Sequence, residues 1–86
     1  MKGISEAEWE ALLPDLELNI TIIKGELARA TKKFPRFQSA HEGWAVILEE
    51  LDELWDEVKA NNHEAARREA VQVAAMAIRF LLDVKP

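Results

Sequence analysis

Apolar residues recur every three or four positions along most of the chain, a spacing that places them on one face of a helix. Two stretches show this spacing most clearly. The first contains Leu16, Ile20, Ile23, Leu27 and Ala30, and the second contains Trp44, Ile47, Leu48, Leu51, Leu54, Trp55 and Val58. Three glycines, three prolines and the absence of tyrosine argue against a β-sandwich or barrel. The pattern predicts an all-α fold.

Capping and helix-breaking residues divide the first half of the chain into two predicted helices. Ser5 followed by Glu8 is a capping-box pattern, which opens a short helix to about Leu13. We expect Pro14 to end that helix and to stand in the first turn of the next one. The second helix stops before Pro35, because proline disfavours helical backbone at the residue that precedes it.

Two further helices are predicted in the second half. Ser39 and Glu42 repeat the capping-box pattern and open the third helix. Asn61-Asn62 is a natural stop, and either asparagine can cap the last helix, which runs from about His63 to about Asp83. Residues 1–86 are therefore expected to form a single domain of four helices.

The last predicted helix is apolar on nearly all sides. Between Ala70 and Leu82 only Gln72 and Arg79 are polar. Such a helix must be buried on more than one side, and three other helices in so short a chain can hardly surround it. The sequence thus predicts a four-helix bundle completed by dimerisation, or a dimer of dimers. The alternative is that alanine-rich positions tolerate partial exposure.

Charge and composition exclude several function classes. The net charge of −5 argues against a protein that binds the nucleic-acid backbone, which needs a basic surface. Because cysteine is absent, disulfides, cysteine zinc sites and thiol catalysis are excluded. The first residues include Glu6, Glu8 and Glu10 where a signal peptide would be basic and then apolar. We expect a cytoplasmic protein without a membrane-spanning segment.

The third predicted helix carries an unusual run of acidic residues. Six of the ten residues 49–58 are Asp or Glu and none is basic. Like charges four residues apart disfavour a helix, and so do anions in its later turns. A bound cation would relieve both penalties. The alternative is a solvated acidic face that Lys59, Arg67 and Arg68 neutralise.

A second polar pair interrupts the apolar helix that follows. Glu69 and Gln72 are three residues apart and share one face. Across an antiparallel hairpin they would face Glu50 and Glu53, so that four oxygen-bearing side chains meet. Oxygen ligands without His or Cys suit Mg²⁺, with Mn²⁺ as a substitute. The alternatives are an ion pair for Glu69 and one interhelical hydrogen bond for Gln72.

These two clusters resemble the paired motifs of the MazG-like all-α nucleotide pyrophosphohydrolases. Glu49-Glu50-Leu51-Asp52-Glu53 is similar to that family's Glu-Glu-x-x-Glu motif, and Glu69-Ala70-Val71-Gln72 stands where the family has Glu-x-x-Asp. Fifteen residues separate Glu53 from Glu69, as in the family's helix–turn–helix. The flanking residues resemble the small phage- and mobile-element-type branch, and the resemblance covers residues 38–83.

The resemblance implies a site and an activity. The family hydrolyses nucleoside triphosphates to a monophosphate and pyrophosphate with Mg²⁺, in helical bundles formed by dimers that sometimes pair into tetramers. It implies metal ligation by Glu50, Glu53 and Glu69, and a role for Glu49 as a further ligand or as the base that orients water. Gln72 replaces the family's Asp; its carbonyl can still ligate, but the site loses one negative charge.

A triphosphate also needs cationic partners. Arg79 is the first candidate, because it follows Gln72 by two helical turns; Lys32 and Arg36 near the predicted break are others. Each has a simpler interpretation, as an ion pair or as solvated surface.

Two other functions stay open. One is a catalytically weak or inactive helical dimer that binds a nucleotide or a protein partner, and the other is an interaction module whose acidic stripe docks a basic partner.

Overall fold

Three helices make up most of the chain. The computed structural model describes residues 2–86, in which α1 spans Glu6–Lys33, α2 spans Ala40–Lys59 and α3 spans His63–Asp83. Those residues contain no strand, so the all-α prediction is confirmed. No helix among them is both long and apolar enough to cross a bilayer. Met1, with which the predicted domain begins, lies outside the described residues.

The prediction of four helices is wrong, because α1 continues through Pro14. A proline inside a helix removes one hydrogen bond, the one that the carbonyl of Glu10 would accept. Glu10 is exposed, so water can hydrate that carbonyl. The capping box at Ser5 forms as predicted, with Ser5 accepting from the Glu8 amide at 3.1 Å and Glu8 accepting from the Ser5 amide at 3.2 Å. A single proline therefore does not divide the helix.

The other predicted boundaries agree with the structure. Phe34 is extended, with φ −119° and ψ 145°, as a residue before proline should be. Ser39 caps α2 by accepting a hydrogen bond from the Glu42 amide at 3.1 Å. The reciprocal bond of the predicted capping box, from the Ser39 amide to the Glu42 side chain, does not form among the described residues. At the second turn Asn61 adopts the left-handed conformation with φ 57°, which asparagine tolerates better than most residues. Asn62 is the residue that caps α3.

Helix α3 lies between the other two helices and packs against both, whereas α1 and α2 do not pack on each other within residues 2–86. The short turn at 60–62 makes α2 and α3 antiparallel. Asn19 and Arg67 line one cavity near the start of α3, and Phe34 meets Arg79 near its end, so α1 and α3 run in the same direction. The residues at 6–18 of α1 are all exposed except Leu13.

A buried ion pair fastens the α1–α2 loop to the end of α3. The Arg79 guanidinium donates through Nη2 to the carbonyls of Phe34, at 2.6 Å, and Pro35. Its Nε lies 3.4 Å from Asp83 Oδ2, and that same oxygen accepts from the Phe37 amide at 3.0 Å. Both charged side chains are buried, 4% and 7% exposed. We call these contacts the Arg79 clamp.

The core beside the clamp is small. It consists of Ala30, Phe37, Ala75 and Met76. Gly43 of α2 lies so close to α3 that a Cβ atom there would stand 2.6 Å from Phe80 Cδ2 and 3.0 Å from Phe37 Cδ2. Glycine is therefore required at 43 for the close approach of α2 to these two rings.

The single chain leaves much apolar surface uncovered. Sixteen large hydrophobic side chains are exposed within residues 2–86, against the four residues of the core. The radius of gyration is 14.9 Å. A compact chain of this length would have about 12 Å. An isolated chain is thus more open than an ordinary globular domain.

We expect Arg79→Ala to destabilise the protein by about 3–5 kcal/mol, because it leaves the Asp83 carboxylate buried without its cation. Arg68→Ala is the matched control: Arg68 and Glu64 are also an Arg–acid pair four residues apart in α3, but both are exposed. Its loss should be at most about 0.5 kcal/mol. Urea unfolding followed by circular dichroism measures both, and equal losses would contradict a structural role for the clamp.

Candidate metal centre

Three carboxylates from two helices converge between α2 and α3. One oxygen each from Glu50, Glu53 and Glu69 lies within 4.8 Å of the other two. Glu50 and Glu53 are three residues apart on α2, and the antiparallel turn brings Glu69 of α3 opposite them. The structure therefore brings together three of the four side chains for which the sequence predicted metal ligation. Their role as ligands stays a prediction.

Glu69 supplies the most unusual atom of this acidic cluster. Its Oε2 is shut off from solvent and has no hydrogen-bond partner among residues 2–86. A buried carboxylate oxygen without a partner is costly, so it calls for a proton or a cation. Glu50 is also half-buried, whereas Glu53 is exposed. The cluster thus has two sheltered carboxylates and one that faces solvent.

Burial and neighbouring carboxylates raise the pKa of both Glu50 and Glu69. Burial, followed by the charges of Glu53 and Glu69, raises the pKa of Glu50 to about 7. Burial is also the largest cause that raises the pKa of Glu69, followed by the charge of Glu53; the cation of Arg68 opposes it weakly. Three hard oxygen ligands at this spacing are suited to a divalent cation such as Mg²⁺ or Mn²⁺.

A cavity of about 330 Å³ adjoins the cluster. Glu49 and Glu50 line it from α2, and Gln72 and Arg79 line it from α3. Its other walls are mostly apolar, with Phe34, Phe37, Val46 and Met76 among them. Clefts that bind small molecules commonly begin at this size and combine apolar walls with a few polar groups.

Gln72 lies in this cavity and also beside a carboxylate of α1. A bidentate ion pair with Arg29 is the main cause that lowers the pKa of Glu26, and the Gln72 side chain lowers it further. Neither Glu26 nor Arg29 was predicted as a site residue from the sequence. The signal was present, because Glu26 is three residues after Ile23 and four before Ala30, which both pack toward α3.

The predicted phosphate-binding residues are not grouped together. Arg79 lines the cavity, but its Nη2 is engaged by the carbonyls of the clamp. Lys32 in the last turn of α1 and Arg36 in the loop are exposed and do not line the cavity. Trp44, which the sequence places on the apolar arc, is 57% exposed and lines a separate cavity on the other side of α2. The binding of phosphate by Arg79, Lys32 and Arg36 therefore stays a prediction.

No known family model, curated protein or solved structure matches this chain. The function and the family that the two acidic motifs suggest therefore stay predictions from the sequence. The case for a function depends on that resemblance and on the geometry of the acidic cluster.

Without a cation, Glu50 should make stability depend on pH. The native pKa of about 7 lies above the ordinary 4.5, so between these values the folded chain holds a proton that the unfolded chain has lost. The free energy of unfolding therefore falls as the pH rises from 4.5 to about 7, because the unfolded chain releases the Glu50 proton more readily than the folded chain does. Relative to wild type, Glu50→Gln should gain on the order of 1–2 kcal/mol between pH 5 and pH 8, less than the full shift because the group is partly exposed.

Urea unfolding in chelator at the two pH values measures this difference. Asp52→Asn, an exposed acid next to the cluster in α2, is the control and should show a much smaller change. If Glu50→Gln and wild type respond equally to pH, Glu50 is not destabilised by its surroundings.

Proposed function

We propose that the protein is a Mg²⁺-dependent nucleoside triphosphate pyrophosphohydrolase, which converts a nucleoside or deoxynucleoside triphosphate to a monophosphate and pyrophosphate. The observation that carries the proposal is the convergence of three carboxylates on the unpartnered oxygen of Glu69, beside a cavity of ligand size. The paired acidic motifs support it. A house-cleaning role in the cytoplasmic nucleotide pool is part of the proposal.

In this proposal the acidic cluster holds the cation. Mg²⁺ when bound, or Mn²⁺ in its place, would supply neutralisation of the substrate's negative charge and Lewis-acid activation at this site. Glu50, Glu53 and Glu69 bind the cation, and Gln72 offers a neutral fourth oxygen from the cavity wall. Without the cation, the −5 charge of the chain would repel a polyanionic substrate.

The remaining roles belong to residues around the cavity. Glu49 accepts a proton from the attacking water, since it lines the cavity next to Glu50. Lys32 and Arg36 bind the outer phosphates if the loop that joins α1 and α2 closes over the cavity. Arg79 contributes its positive charge from the clamp, because its guanidinium lines the cavity while it holds the loop.

The proposed active protein is a dimer or a dimer of dimers. The accessible surface of the described chain is 6744 Å². A folded monomer of this mass would expose roughly 5200 Å². The excess supports assembly with a second copy, in which two α2–α3 pairs would form the four-helix bundle that the single chain lacks.

A second candidate is a helical dimer that binds a nucleotide or a protein partner without turnover. The observation that favours it is Gln72, a neutral residue that lies beside Glu26 as well as in the cavity. Metal-dependent stabilisation by a nucleotide, with no release of pyrophosphate, would distinguish this candidate from the enzyme.

Mg²⁺ or Mn²⁺ should raise the melting temperature by several degrees, because the cation neutralises the repulsion among native carboxylates. Glu53→Gln should remove most of that gain and should leave the metal-free protein as stable as wild type or more stable. Asp52→Asn is the control and should respond to metal as wild type does. Thermal unfolding with and without 5 or more equivalents of metal, in the same buffer, tests the three proteins; an unchanged response in Glu53→Gln would favour a solvated acidic face.

Gln72→Asp tests the fourth oxygen. If residue 72 faces the cation, the new carboxylate should increase Mn²⁺ affinity and the rate of pyrophosphate release from a nucleoside triphosphate. If residue 72 serves only the contact with Glu26, the substitution places two carboxylates together and should cost about 1–3 kcal/mol with no gain in metal binding. Titration with Mn²⁺ and a pyrophosphate assay over several triphosphates measure both outcomes.

A further inference from the structure

Helix α2 carries an exposed apolar stripe on the side opposite the acidic cluster. We name it the α2 stripe: Trp44, Leu48, Leu51 and Trp55, which are 57%, 41%, 38% and 57% exposed. At 100° per residue they lie within a 60° arc, while Glu50 and Glu53 point to the opposite half of the helix. Helix α1 does not reach this side of α2 within the described residues. Four large side chains of one helix are therefore left partly uncovered, although Trp44 borders a cavity with Ala77 and Phe80 of α3.

The spacing of the α2 stripe is the same in both directions. Its gaps are four, three and four residues, so the stripe is symmetric about the point between Glu49 and Glu50. An antiparallel second copy of α2 would set each Trp44 against Trp55 of the second copy and each Leu48 against Leu51 of the second copy. A contact in which residue i meets j and j meets i is the requirement of a twofold dimer interface.

The charges of α2 favour the same orientation. Five of its seven acidic residues lie in the second half, at 50–57, and the first half carries Glu42 and Glu49. An antiparallel pair lays each acidic half beside the less acidic half of the other copy. A parallel pair would align the two acidic runs, which like-charge repulsion disfavours.

The chain as a whole leaves more surface uncovered than one such interface would bury. It exposes roughly 1500 Å² more than a compact monomer of its mass, an excess to which the first half of α1 contributes as well as the α2 stripe. A stable interface of standard size buries only about 800 Å² on each partner. Two tryptophans and two leucines in the centre are typical of the apolar residues that dominate interface energies.

We propose that the α2 stripe is the primary interface between two copies of this chain, packed antiparallel about a twofold axis near Glu49 and Glu50. The acidic clusters then lie on the outer sides of the paired helices, where the second copy does not cover them. This inference concerns assembly alone and does not depend on the proposed activity.

Cysteine cross-linking tests the pairing directly, because the chain has no cysteine of its own. Leu48→Cys and Leu51→Cys are purified separately, mixed, unfolded and refolded together, and oxidised mildly. The mixture should form a disulfide-linked dimer, and each variant alone should form far less of it, because residue 48 meets residue 51 and not itself. Equal cross-linking in the single variants, or none in the mixture, would overturn the proposed pairing.

The mass in solution gives an independent test. Light scattering at micromolar concentration should show wild type as at least two chains and Leu48→Glu as one chain of 9.8 kDa. Leu18→Glu is the control, since Leu18 is an exposed leucine of α1 and is 61% exposed. The Leu18→Glu variant should still have the mass of at least two chains. A monomeric wild type, or a Leu48→Glu variant that remains dimeric, would contradict the proposal. If Leu48→Glu fails to fold, the cross-linking of Leu48→Cys with Leu51→Cys decides whether the α2 stripe is the interface.

Discussion

The arrangement of the three helices depends on the buried Arg79–Asp83 pair. Helices α1 and α2 do not pack on each other in residues 2–86, so their relative position is set by what each shares with α3. The clamp fixes the loop between them to the last turns of α3 through the Phe34, Pro35 and Phe37 backbone. A buried ion pair specifies geometry better than it adds stability. Arg79 Nη2 and Asp83 Oδ2 are hydrogen-bonded to the loop, whereas the buried Arg79 Nε has only its ionic contact with Asp83. That geometry shapes the cavity beside the acidic cluster.

The acidic cluster, unlike the clamp, consists of groups that repel one another. Burial raises the pKa of Glu50 and Glu69. Local interactions alone would not select this arrangement. The fold tolerates this repulsion because other contacts hold the α2–α3 hairpin together, namely the packing of Gly43 against Phe80 and the clamp. Residues that weaken a fold in the absence of ligand are commonly found where a ligand compensates for them.

Much of the fold could be predicted from the sequence because helix periodicity and caps are local signals. Ser5, Ser39 and Asn62 cap the helices as their patterns indicate, and Pro35 ends α1 where expected. Pro14 misled the prediction because its cost depends on whether water reaches one carbonyl, which is not a local property of the sequence. The meeting of Glu50, Glu53 and Glu69 could be anticipated from spacing across a short turn. The Arg79 clamp could not, since its acceptors are backbone carbonyls forty-five and forty-four residues away.

The first half of α1 differs from the other helical segments in how little of it is covered. Residues 6–18 are exposed except for Leu13, so this segment has little tertiary support within its own chain. An isolated helix of that length is marginal in water, and Pro14 weakens it further. Its helicity therefore depends on the rest of α1 and on any surface that covers Trp9, Leu12 and Leu16. This segment should fray before the α2–α3 hairpin opens, and amide hydrogen exchange should be fastest in the first turns of α1.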